Sequence, residues 1–164
     1  MEKYHLRRFD KEITDYNEIK GIIQRQEYLT LAMSRLNRPY LVSLNYGYDV
    51  KQKCFYFHCA SEGKKIDYLY SNPRIYGQIL ENLKYLEGKC SYAYRSVQFE
   101  GEVSFVEKDY EKKHALQLMV DKLEIPALIN KTKEKFMTDS AIENVVIGKI
   151  NVTKFSAKEE KLTS

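Results

Sequence analysis

Between Phe57 and Lys65 the chain passes from an apolar stretch through a small-residue turn into a pair of lysines: Phe57-His58-Cys59-Ala60-Ser61-Glu62-Gly63-Lys64-Lys65. The chemistry such a segment offers is anion binding. A helix starting after the turn presents unpaired N–H groups and a partial positive charge, and small residues such as Ala60 and Gly63 let an anion approach the backbone. Lys64 and Lys65 add two ammonium groups and complete a phosphate cradle. The same residues also read as a plain capped helix with two solvated lysines, and spacing by itself leaves both readings open. His58 is a ligand contact or a half-buried strand histidine bonded locally. Cys59, close to the helix start, is an activated thiol or simply buried.

Other chemistries find less support. Cys54, Cys59 and Cys90 are odd in number and lack a CxxC spacing, which indicates neither a disulfide framework nor a zinc site. No HxxxH or carboxylate pair stands at ligand spacing, so no metal is expected, and His5 and His114 read as surface residues. Tyr46, Tyr92 and Tyr94 offer rings that stack on bases, but 27 Lys plus Arg face 23 Asp plus Glu and are spread along the chain. Without a basic tract, nucleic acid is not the expected partner, and the tyrosines read as sheet or interface packing.

The elements that must position the cradle follow from periodicity. Ile19, Ile22 and Ile23 predict a helix over residues 15–26, with Thr14 or Asp15 as N-cap. Strands are expected over 28–33 and 40–48, joined by a turn at Leu36-Asn37-Arg38-Pro39, then over 54–58 after a polar loop. A helix over 61–72 has Ser61 as N-cap, an inner face of Ile66, Leu69 and Tyr70, and Pro73 as its stop. Strands follow over 74–83 and 90–106; in the second, Tyr92, Tyr94, Ser96 and Gln98 share one face, Ala93, Arg95, Val97 and Phe99 the other, and Gly101 marks a bend or bulge. Asp109 caps a helix with Ala115, Leu116, Met119, Val120 and Leu123 at the 3.6 period. A lysine-rich irregular stretch over 130–135 reads as a solvated charged face, a last strand covers 143–155, and the polar tail 156–164 is expected to fray.

Length and composition set the frame. One domain over residues 1–164 is expected, since 164 residues with 43% hydrophobic and 30% charged side chains suit a single globular core. No window reaches the roughly 18 to 20 consecutive apolar residues of a membrane helix, and residues 1–10 are charged with no apolar segment behind them, so a cytoplasmic protein without a membrane partner is expected. Fourteen Tyr and 7 Phe with no Trp favour strands. Five or six mainly antiparallel strands with peripheral helices predict a small barrel or strongly curled sheet.

Beyond spacing, the chain resembles the pyridoxamine 5'-phosphate oxidase-like flavin split-barrel superfamily. That family's third strand leads through a Thr-Asn and a short turn to Ser-Arg-Lys and a helix ending in Asn-Pro. Here His58-Cys59 leads to Gly63-Lys64-Lys65 and on to Ser71-Asn72-Pro73, and Arg95-Ser96-Val97 with Glu100-Gly101 is similar to the family's Arg-Gln-Val and Glu-Gly. The nitroimidazole-resistance (Nim) branch is nearest, by Arg7-Arg8, Glu12-Ile13-Thr14-Asp15, Pro39-Tyr40, Leu44-Asn45-Tyr46-Gly47 and the His58-Cys59-Ala60 to Lys65 block. The resemblance spans roughly residues 5–155.

The resemblance implies a mainly β fold, a six-stranded antiparallel split β-barrel, binding FMN (FAD being possible) at the seam of a homodimer. The phosphate role falls on Lys64 and Lys65, and the strand lining the isoalloxazine on Val42, Ser43, Leu44, Asn45 and Tyr46. His58 and Cys59 replace the Thr-Asn pair, and Ser96 replaces a Gln contributed by the partner chain. No residue is assigned as a catalytic acid or base. The implied activity passes electrons from a small-molecule donor to a small acceptor, a nitro-aromatic compound among the candidates. The alternative is a non-enzymatic flavin- or haem-binding module of the same fold, with His58 as axial ligand. The family's strand-two Arg and Lys align with Val42 and Gly47, and its C-terminal Trp and Arg-Leu-Ala-Pro are missing from a chain ending Lys161-Leu162-Thr163-Ser164. True pyridoxamine phosphate oxidase activity is therefore not expected.

Overall fold

The computed structural model describes residues 8–162. His5, Arg7, Thr163 and Ser164, invoked above, lie outside the described residues. Helix α1 (Tyr16–Arg25) forms where the isoleucine spacing places it. Asp15 caps it by accepting from the Asn17 backbone N–H at 2.8 Å, and Ile19, Ile22 and Ile23 are buried. Strands β1 (Tyr28–Arg35) and β2 (Arg38–Asn45) form a hairpin, followed by β3 (Gly47–Asp49) and β4 (Cys54–Cys59). Helix α2 (Lys64–Ser71) leads to the long hairpin β5 (Arg74–Leu86) and β6 (Ser91–Phe105), then to helices α3 (Asp109–Leu123), α4 (Ile129–Phe136) and α5 (Asp139–Asn144) and strand β7 (Val146–Glu160).

Among the described residues seven strands, not six, make one antiparallel sheet in the order β2-β1-β5-β6-β7-β4-β3. The extra strand arises because the expected strand over 40–48 breaks at Tyr46. Its hydroxyl is shared between the carbonyls of Ile23 and Gln26, at 2.8 and 2.7 Å, which draws the side chain into the core. Beside it Gly47 lies so close to α3 that a Cβ would stand 2.8 Å from the Leu118 Cβ. Strands β2 and β3 occupy opposite edges with Tyr46 alone between them, so the sheet curls until its edges are one residue apart along the chain.

The main core fills the curl. Phe55 stacks on Phe99 with centroids 4.6 Å apart and tilts against Tyr48 at 4.7 Å. The rings of Phe99 and Phe57 lie over their directly paired neighbours Gly77 and Gly148, where a Cβ would come within 2.1 and 2.2 Å of ring carbons. A second, smaller core packs Cys54, Tyr56 and Ile147 against Ala115 and Met119 of α3. Strand β4 is thus buried on both faces, Phe55 and Phe57 inward, Cys54 and Tyr56 beneath α3.

Several expectations are corrected. The tail does not fray at 156: β7 pairs with β6 as far as Glu160, Ala157 is buried, and its carbonyl accepts from the Ile13 N–H at 2.9 Å. Residues 129–144 hold two short helices instead of an irregular stretch and a strand start; α4 buries no residue, so its sequence carries little apolar signal, while Thr138 caps α5. Helix α2 is capped at Gly63, not Ser61. Tyr70 is 73% exposed against Phe105, and Tyr68 takes the inner position beside Ile66 and Leu69. Lys108 occupies the cap position of α3, with Asp109 in the first turn, where its charge suits the helix dipole. The bulge expected at Gly101 is present, between Glu100 and Gly101. Among the described residues no helix is long and apolar enough to cross a membrane.

Candidate functional site

Strand β4 ends at Cys59 and α2 begins at Lys64, so residues 60–63 form the turn that the sequence singled out. Gly63 has φ +119°, a conformation L side chains rarely adopt, and open space surrounds the position of its absent Cβ. Among the described residues no side chain caps α2, which leaves its first N–H groups open to an acceptor. The exposed Lys64 ammonium stands 4.5 Å from the Tyr40 ring centroid and 5.7 Å from that of Tyr68; the two rings are themselves 5.2 Å apart. Lys65 is half-buried, with its ammonium 5.3 Å from the Phe57 ring. Burial raises the Cys59 thiol above its ordinary pKa despite the opposing charge of Lys65, so Cys59 is not an activated thiol.

Tyr40 links the cradle to β2. Among the described residues that strand pairs only with β1, so the N–H and C=O groups along its other side have no strand partner there. Val42 and Leu44 pack with Tyr40 and Cys59 around the main core. Ser43 is exposed, 3.3 Å from the Thr30 hydroxyl, and the Asn45 amide donates to the Glu27 carbonyl at 3.3 Å. Tyr46 is fully buried and its hydroxyl is committed to α1, so only its backbone is left for a ligand. One side of the molecule therefore gathers Lys64, Lys65, Ala60, Gly63, Cys59 and the β2 edge. Two ammonium groups and bare helix N–H groups suit an anionic tail, and an unpaired strand edge suits the polar rim of a flat ring.

The structure places His58 and Ser96 elsewhere. Strand alternation turns His58 away from Phe57 and Cys59, onto the face that carries Cys54 and Tyr56, where it lines a cavity of about 340 Å³ beneath α3. Ser96 is buried between its paired neighbours Leu80 and Lys158, and its hydroxyl accepts from the Gln78 amide at 3.3 Å. It floors a shallow recess on the outer sheet face whose lining includes Tyr92, Tyr94 and Lys158. Neither cradle lysine lines either hollow. Sequence reasoning missed the Tyr40 and Tyr68 platform, although Lys64 and Tyr68 stand four apart on a helix. It also missed Lys158, which lay in the supposedly frayed tail.

With this fold and site in view, the class of the protein is settled: the chain belongs to the pyridoxamine 5'-phosphate oxidase family, whose model matches residues 15–159. It is similar to a candidate 5-nitroimidazole antibiotic resistance protein from Bacteroides thetaiotaomicron, with 29% identity, 90% of this chain and 86% of that chain covered, and a TM-score of 0.74. The FAD- and haem-binding protein of Mycobacterium smegmatis shares the fold at 15% identity, covering 93% of this chain and 74% of that one, with a TM-score of 0.74. So does an FAD-binding protein of Mesorhizobium loti, at 20% identity, 90% and 96% coverage and a TM-score of 0.62. No curated protein matches the chain.

Proposed function

We propose that this chain binds a flavin, FMN with FAD as the larger variant, and as a homodimer passes electrons from a reduced small-molecule carrier to a small acceptor. The observation that carries this reading is the uncapped start of α2 with Lys64 and Lys65, set beside the unpaired edge of β2. The flavin-binding proteins that share the fold support it, and the nitroimidazole-resistance relative supports a nitro-aromatic acceptor. Bound flavin supplies the redox chemistry. The chain's own residues bind and orient: Lys64, Lys65 and the α2 N–H groups hold the anionic tail, and the β2 backbone meets the ring edge. Replacing both lysines by alanine is expected to weaken FMN at least ten-fold, about 1.4 kcal/mol. A fluorescence titration showing unchanged affinity refutes the assignment.

The dimer reading rests on the outer sheet face, where Leu80 and Tyr92, 51% and 49% exposed, line the Ser96 recess. Large apolar side chains exposed together on one sheet face suit an interaction site. Joining two such faces excludes water and brings Ser96 of one protomer toward the cofactor of the other. Leu80→Glu is expected to give monomers in sedimentation equilibrium and to lower FMN affinity with them; dimers that persist count against this face. A second reading, a haem-binding or sensing module, is favoured by the position of His58 on the α3 cavity. It requires a Soret band in the purified protein that His58→Ala abolishes.

A further inference from the structure

We propose that Arg35 and Arg38, opposite each other at the tip of the β1–β2 hairpin, form a second phosphate site beside the cradle, for a nucleotide that extends past the phosphate of FMN. That the extension belongs to a flavin rests on the flavin reading; the anion site itself does not. Arg35 and Arg38 are the last cross-strand pair before the turn, in register with Met33 and Tyr40, Leu31 and Val42, and Leu29 and Leu44. Leu29, Leu31 and Met33 are buried, which marks this row as the inner face of the hairpin. Strand alternation therefore puts both arginines on the face that carries Tyr40. Leu36 and Asn37, with φ 49° and 61°, make the two-residue turn, whose central residues both take the left-handed conformation this kind of hairpin requires. So tight a turn holds the two arginines in register.

Nothing among the described residues neutralises this pair. Side chains directly opposite on one face of an antiparallel ladder have Cβ atoms about 4.5 to 5.5 Å apart, and like charges there are destabilising. Arg8, Arg25, Arg74 and Arg95 each pair with a carboxylate. Of the described arginines only Arg35 and Arg38 have no such partner, and both are exposed. Glu62 in the turn before α2 and Asp67 in its first turn form no ion pair with them. Two guanidinium groups that repel each other and meet no carboxylate suit an anion from outside, and their planar forks match phosphate oxygens bidentately.

Position selects the ligand. Along β2 the order is Arg38, then Tyr40 with the Lys64 ammonium 4.5 Å from its ring, then Val42 to Tyr46 along the proposed flavin ring. Two residues of strand cover about 7 Å, so Arg38 starts a short step past the cradle, on the side away from the ring. FMN ends at its phosphate, and the roughly two negative charges of that group are matched by Lys64 and Lys65. FAD continues from there into a second phosphate and an adenosine. A reduced nicotinamide dinucleotide lying over the flavin brings the same chemistry through its diphosphate or a 2′-phosphate. In each case the arginines recognise a phosphate of an adenine nucleotide.

The test titrates the full-length chain, and the same chain with Arg35→Gln and Arg38→Gln together, with FMN, FAD, NADPH and NADH by calorimetry. Both side chains are exposed and the change removes a like-charge pair, so the variant is expected to unfold at a urea midpoint no lower than the parent's. Its FMN affinity is expected to be unchanged, while at least one adenine nucleotide weakens by about ten-fold or more. A loss for FAD assigns the site to the adenylate half of the cofactor. A loss for NADPH alone assigns it to the donor's 2′-phosphate, and a loss for NADPH and NADH together to the donor's diphosphate. Arg35→Lys with Arg38→Lys keeps the charge without the fork and is expected to recover only part of the lost affinity. Unchanged affinity for all four ligands, or FMN weakened as much as the others, overturns the proposal. So does a fall in the urea midpoint, which gives the arginines a role inside the fold. Arginine-dependent binding of NADPH in a protein that takes up neither flavin leaves the second phosphate site standing and removes the flavin reading instead.

Discussion

Phe55→Ala is expected to lower the free energy of unfolding by about 3 to 5 kcal/mol, the range for emptying a fully buried aromatic site. Phe55 is wholly buried at the centre of the curled sheet, against Phe99 and Tyr48 and edge-on to Tyr46 at 5.4 Å and Phe155 at 6.3 Å. These rings come from β3, β6, β7 and the break at Tyr46, so no single element can move to fill the hole. A domain of this size has roughly 5 to 15 kcal/mol in all, so the loss is a large fraction of the whole. The urea midpoint should fall with an unchanged slope. Tyr28→Ala, at a 59% exposed position, should change stability by no more than about 0.5 kcal/mol. Because β4 carries this core on one face and ends at the cradle, FMN affinity should fall with stability. A loss below about 1 kcal/mol for Phe55→Ala would show that the core is more plastic than its ring packing implies.

How much of this was legible in the sequence varies with the kind of signal. The isoleucine triplet of α1 and its Asp15 cap are local, and both were readable. So was the alternation of β6 with its bulge at Gly101, because a half-buried strand writes its two faces into alternate residues. The break at Tyr46 was not readable, since it depends on a hydroxyl reaching the end of α1 and on α3 passing over Gly47, both contacts between residues distant along the chain. The end of β7 was missed for a related reason: Lys158, Glu159 and Glu160 look like a solvated tail, but Glu159 pairs with Arg95 at 3.2 Å and the strand is held by β6. At the candidate site, the turn and its two lysines stood out by residue type. That His58 faces a different hollow from Cys59 follows from strand alternation, yet what covers it depends on α4 and α5, whose sequences are short and mostly polar. Ser96 was singled out by the resemblance alone, and its burial between Leu80 and Lys158 is again set by contacts between residues distant along the chain.

Stability is expected to rise with pH in two separate windows, each with its own side chains. In the acid window, Glu81 is 9% exposed at the side chain and accepts from Arg25 at 2.7 Å and Arg95 at 3.3 Å. The Arg25 hydrogen bond holds its carboxyl below the usual glutamate value against the opposing effect of burial. Glu111 is likewise lowered, first by Lys149 at 2.8 Å and then by the Tyr56 hydroxyl at 3.0 Å. Asp49 is pushed up by burial, but the backbone N–H groups of Gln52 and Lys51 and the His114 ring outweigh this and leave it lowered. A carboxylate depressed in the folded state binds its proton more readily in the unfolded chain. Its stabilisation is therefore full above the ordinary carboxylate pKa and is lost as pH falls through the folded values. In the alkaline window, burial pulls Lys122 down to about 7 from 10.5, although its ammonium donates to the Ile23 carbonyl at 2.9 Å and lies 3.3 Å above the Tyr46 ring. Between pH 7 and about 9 the unfolded chain holds a proton that the folded chain has released, so stability climbs again with pH; above that the Cys54 and Cys59 thiols, raised by burial, pull the other way. Glu81→Gln should flatten the urea-midpoint curve below about pH 5 and leave the alkaline rise intact, whereas Lys122→Met should do the reverse. If Lys122→Met leaves the climb from pH 7 to about 9 unchanged, that lysine keeps its proton in the fold, and the ring and carbonyl beneath it outweigh its burial.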